Sequence, residues 1–130
     1  MDDATLAHWL TNYVDAWRTY DVAAIGALFS EDAVYRFHPW DEGEEALRGR
    51  EAIIANWLEE PDATNSWTAE YRPWAVDGDR VVAVGTTRYL TEDREAVESE
   101  FHNVFLLAFG ADGRCTEFTE LYMRTPTAGR

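Results

Sequence analysis

The stretch SEFHNVFLLAFGADGRCTEFTELYMR, residues 99–124, decides the fold. Two long runs rich in aromatic and branched residues flank GADG at 110–113, the pattern of a β-hairpin. In the second run, Thr116, Phe118, Glu120 and Tyr122 share one face, and Cys115, Glu117, Thr119, Leu121 and Met123 share the other. Each face is part apolar and each carries one glutamate, so alternation alone leaves open which carboxylate is buried.

A second hairpin precedes it. SWTAEYRPWAV (66–76) and RVVAVGTTRYLT (80–91) flank DGD, and the polar segment EDREAVE (92–98) joins the two hairpins. Upstream the period changes to helical. Leu6, Leu10, Tyr13, Val14 and Trp17 predict a helix from Thr5 to about Tyr20. Asp21 is a good N-cap for a second helix, VAAIGALFS. EDAVYRFHPW then reads as a strand ended by Pro39, and DEGEEALRG as a solvated polar loop. A third helix starts after Gly49, with Ile53, Ile54, Trp57 and Leu58 on its apolar face, and Pro61 ends it. The order predicts one α+β domain over residues 1–130, with helices packed on one face of a curved antiparallel sheet. NVFLLAF and RVVAV are apolar on both faces, which predicts that the other face meets a second copy in a homodimer.

Composition narrows the partners. Apolar residues make up 46% of the 130-residue chain and aromatics 14%, too many for disorder. Eleven basic against 25 acidic residues give a net charge of −14, which disfavours nucleic acid and anionic membranes. One cysteine, Cys115, excludes an intramolecular disulfide and a multi-cysteine metal site. Three scattered histidines lack ligand spacing, and there is no phosphate-binding glycine loop or serine elbow, so neither a metal nor a cofactor is expected. MDDATLAHWL lacks the pattern of a secretory signal, and no apolar run approaches the roughly 18 residues of a membrane span. A cytoplasmic protein is the expectation.

The run YVDAWRTYD…ALFSEDAVYRF…P…LRGREAII…W, with the VDGDRV and HNVFLLAFGADGR hairpins, resembles the nuclear transport factor 2-like superfamily. It looks most like the SnoaL-like group of polyketide cyclase and ketosteroid isomerase relatives. The resemblance covers nearly the whole chain. It implies a cone-shaped sheet wrapped around the N-terminal helices, an internal pocket and usually a dimer, but no single activity. Ketosteroid isomerases use a first-helix tyrosine, matched here by Tyr13. Their strand-end aspartate falls on Phe37 or His38 and their second acid near Phe105, so that machinery is incomplete.

The same alignment turns Phe118, Glu120 and Tyr122 inward, with Phe101, Asn103, Phe105, Leu107 and Phe109 beside them, and Glu117 outward. It also places Ala83, Gly85, Thr87 and Tyr89 inward, with Tyr89 near the rim and Arg88 outside. Glu120 among aromatics is then either a structural acid or a group whose pKa is lifted toward neutrality for proton transfer. His38 is either a loop cap or a second proton carrier, with Trp40 closing the mouth. Tyr13 and Trp17, one turn apart, are core residues or a phenol donor and a stacking surface. His8 and His102 carry no such positional argument, and His102 points away from the cavity if Asn103 points in. The expected function is binding of a small, largely apolar or amphipathic molecule, of polyketide or terpene size. Cofactor-free isomerase, cyclase, dehydratase or hydratase chemistry would use His38 or Glu120, with Tyr13 and Asn103 on a substrate oxygen. The alternative is a non-catalytic binding or dimerisation module of the same fold.

Overall fold

A computed structural model describes residues 1–126. The elements run α1 (Asp3–Thr19), α2 (Val22–Leu28), β1 (Phe29–Arg36), a 3-10 turn (Gly43–Glu45), β2 (Leu47–Arg48), α3 (Arg50–Glu59), β3 (Trp67–Asp77), β4 (Arg80–Leu90), β5 (Val97–Phe109) and β6 (Cys115–Arg124). The strands form one sheet in the order β2-β1-β6-β5-β4-β3. All neighbours are antiparallel except β1 and β6. The fold is α+β, three helices against one sheet, as the sequence predicts; the sheet has six strands where the sequence reading gives five, and its β1–β6 pair is parallel.

Local chemistry sets the boundaries. Asp2 caps α1 by accepting from the Thr5 N–H at 2.7 Å, and Asp21 caps α2 through the Ala23 N–H at 3.0 Å. Gly78 takes a positive φ of 63° in the β3–β4 turn, a conformation that suits glycine. Three details differ from the sequence reading. Phe29 and Ser30 open β1 rather than closing α2, because Phe29 pairs with Cys115 of β6. The acidic loop at 41–49 contains the 3-10 turn and the two-residue β2, which β1 recruits through Tyr35 and Val34. Leu58, expected on the apolar face of α3, is 39% exposed.

The core lies between the helices and the concave side of the sheet. Leu6, Leu10, Ile25, Phe29, Ile53, Phe105 and Phe118 are fully buried within it. Burying each such side chain contributes about 1.5–3 kcal/mol. Register places Val84, Val104 and Leu121 side by side on the other face, with Leu106 43% exposed nearby. No helix of the described residues is long and apolar enough to cross a membrane.

Candidate functional site

Phe118 is the plate on which the site is built. Its ring stacks on Tyr35 at 4.4 Å and 6°, and on Tyr13 at 5.4 Å and 13°. Two phenols, one from β1 and one from α1, are thereby held beside the inward face of β6. Tyr35 sits level with Phe118 in the β1–β6 register.

Above this plate opens a cavity of about 450 Å³. Tyr13 and Trp17 reach it from α1, Tyr35 and Phe37 from β1 and the residue beyond, and Asn56, Trp57 and Glu60 from α3 and its end. The sheet supplies Tyr71, Thr87 and Tyr89 from β3 and β4, Phe101 and Asn103 from β5, and Glu120 and Tyr122 from β6. Tyr20 and Asp62 complete the wall. The Tyr20 hydroxyl accepts from the Asp62 backbone N–H at 2.8 Å, and Trp17 Nε1 donates to Asp62 Oδ2 at 3.0 Å. These bonds tie the segment after α3 to the end of α1, forming one side of the mouth.

Glu120 is the recessed acid of this cavity. Desolvation raises its pKa to about 7, partly offset by the Tyr35 hydroxyl and by His38. The ion pairs among the described residues engage Asp41, Glu70, Glu100 and Glu117, and none engages Glu120. Glu117 lies on the opposite face, where Arg36 pairs with it at 3.3 Å. Burial pushes the Tyr13 and Tyr35 phenols well above their usual range, with Glu120 adding to the shift. Both therefore stay protonated at neutral pH and can donate.

A directional relay runs along the sheet side. The Thr87 hydroxyl donates to Asn103 Oδ1 at 2.9 Å. Its single hydrogen is then used, so the Tyr71 hydroxyl, 2.6 Å away, donates to Thr87. Asn103 is left with its amide N–H groups for the cavity.

Of the residues singled out in the sequence, Tyr13, Trp17, Phe37, Tyr89, Asn103, Glu120 and Tyr122 line the cavity. Phe105 and Phe118 lie beneath it, 1% and 0% exposed. His38 is outside the lining. Its Nδ1 lies 3.2 Å from Asp41 Oδ1, and the backbone N–H groups of Phe37 and His38 both donate to Asp41 Oδ2 at 3.1 Å. The loop after β1 is thus capped by Asp41, with His38 in the cap. Trp40 does not close the mouth: it is 71% exposed and stacks on the His38 ring at 4.9 Å. Tyr35 and Tyr71 also line the cavity, and alternation within each strand is the sequence signal for both. Asn56, Glu60 and Asp62 carry no such signal, because their approach depends on how α3 is set against the sheet. Among the described residues, no group of three potential metal-ligating side chains gathers.

Known proteins give the same architecture. The chain resembles a protein from Kribbella flavida provisionally named a ketosteroid isomerase, at 18% identity and a TM-score of 0.67, over 99% of this chain and 85% of that one. A protein from Sinorhizobium meliloti provisionally named a polyketide cyclase matches at 23% identity and a TM-score of 0.62, over 93% and 100%. An NTF-2 like protein of unknown function from Burkholderia xenovorans matches at 14% and 0.69, over 96% and 88%. At these identities the likeness is one of fold. No curated protein matches the sequence. The model of the SnoaL-like domain matches residues 10–118, and with the helices, sheet order and cavity described above, the chain belongs to the SnoaL-like domain family.

Proposed function

We propose that the protein binds a small, largely apolar or amphipathic molecule in this cavity and exchanges a proton with it through Glu120, without a cofactor. The observation that carries the reading is a recessed carboxyl, lifted by burial to a pKa of about 7 and unpaired with any cation among the described residues, at the wall of an aromatic cavity. An acid tuned to the working pH is efficient both as donor and as acceptor. The Asn103 amide and the Tyr13 hydroxyl would hydrogen-bond a substrate oxygen as charge develops on it. This is the requirement of an isomerisation, cyclisation, dehydration or hydration.

A non-catalytic binding role is the second reading. It is favoured by the engagement of His38 with Asp41, which leaves Glu120 without an imidazole partner in the lining. A turnover screen over cyclic enones, epoxides and hydroxyketones separates the two. Under the first reading Glu120→Gln lowers kcat by about 10²–10⁴, with the fold intact by circular dichroism, while His38→Ala retains most activity. Full activity in Glu120→Gln sinks the acid–base assignment.

The same fold supports a homodimer. We propose that a second copy covers the outer face of the sheet at Val84, Val104, Leu106 and Leu121, which the hydrogen-bond register brings together. Arg88 and Glu100, joined at 2.7 Å, stand on the same face as its polar border.

A further inference from the structure

The cavity is one-sided in charge. Among the described residues, three carboxylates, Glu60, Asp62 and Glu120, contribute to its lining, and no arginine or histidine does. The chain contains no lysine at all. Glu60 and Asp62 are exposed at the mouth, whereas Glu120 is recessed among aromatic rings. The charge thus runs inward from the mouth to the interior.

A neutral apolar ligand would fill this volume yet leave Glu120 desolvated and without a counter-ion. An anionic ligand would meet three carboxylates. A cationic group would gain Glu120 as a counter-ion in a cavity walled by Trp and Tyr side chains, an attraction that strengthens when water is excluded. The volume of about 450 Å³ is within the range of small-molecule cavities.

We propose that the cavity takes an organic cation, an amine or quaternary ammonium carried on an apolar body, with Glu120 as its counter-ion and Glu60 and Asp62 drawing it to the mouth. This rests on the reading of the cavity as a small-molecule site and names the charge of what it holds. The near-neutral titration of Glu120 adds a consequence: binding a cation expels the carboxyl proton, so affinity rises with pH through about 7. The groups facing Glu120 are Tyr13 from α1, Tyr35 and His38 from β1 and its loop, Tyr71 from β3 and Tyr89 from β4. The four tyrosines are kept neutral, their pKa values raised chiefly by burial. His38 is controlled by repeating the titration in His38→Gln.

The test uses tryptophan fluorescence with phenyltrimethylammonium and its uncharged carbon isostere, tert-butylbenzene. The ammonium ion has no titratable proton, so its pH dependence belongs to the protein. The expected result is that the cation binds at least about tenfold more tightly than the isostere at pH 8. Its affinity should drop by up to about tenfold at pH 6 in both native protein and His38→Gln, and Glu120→Gln should lose the preference. Equal or tighter binding of the isostere overturns the inference and leaves the small-molecule reading standing. A cation preference that survives in Glu120→Gln, or that ignores pH in the native protein, overturns the role of Glu120 as counter-ion. Binding of neither probe up to its solubility overturns both readings.

Discussion

The Thr87 hydroxyl donates to Asn103 Oδ1 at 2.9 Å on the diagonal of the β4–β5 pair, and it fixes which way the Asn103 amide faces. Both residues are buried, 4% and 8% exposed. Thr87→Val keeps the shape but leaves Asn103 Oδ1 without its donor and the Tyr71 hydroxyl without its acceptor. The expected loss is about 1–3 kcal/mol in urea unfolding, with Thr87→Ser restoring most of it. A Thr87→Val midpoint equal to the native one would show that the relay carries no stability.

Glu120 makes the opposite prediction for stability. Its folded-state pKa of about 7 lies above the unfolded value near 4.5. Between those values the folded protein keeps a proton that the unfolded chain has released. Stability therefore falls as pH rises through this window, and the penalty is complete above it. Glu120→Gln removes the penalty, so the variant should be more stable by about 2–3 kcal/mol at pH 8 and close to native near pH 4. Equal stability curves at both pH values would mean that the carboxyl is not desolvated.

Gly85 marks how closely β3 and β4 approach at the cavity wall. A Cβ there would run into the Glu70 carbonyl oxygen and lie 2.7 Å from Tyr71 Cα. Gly85→Ala must push the Tyr71 segment of β3 away, which displaces the start of the relay. A destabilisation of about 2–4 kcal/mol is expected, together with weakened ligand binding. Thermal unfolding of Gly85→Ala checks it; a native-like midpoint would mean that the strands separate there at little cost.

The outer sheet face yields a mass. Sedimentation at micromolar concentration should give twice the chain mass of 14.9 kDa, and Leu106→Lys should return the monomer. A native protein that sediments as a monomer contradicts the proposed interface.

Much of this site was legible because a strand has a period of two. Once Phe118 faces inward, Glu120 and Tyr122 follow, and Glu117 must face out to Arg36. Alternation does not report depth. Phe105 and Phe118 share their faces with Asn103 and Glu120, yet α1 covers them and leaves the others at the cavity. The placement of His38 was illegible for a different reason. Pro39 suggests only that the strand stops, whereas Asp41 folds back to accept two backbone N–H groups and holds the imidazole beside it. The two-residue β2 is too short to show a period, and only its pairing with β1 defines it.

Glu120 should stand protonated and deprotonated in comparable amounts at neutral pH, at the wall of an open cavity. Following its carboxyl ¹³C shift against pH, assigned by the signal missing in Glu120→Gln, tests this most directly. A midpoint near 7 is the predicted result. A midpoint in the ordinary glutamate range, about 4.3, would contradict the account.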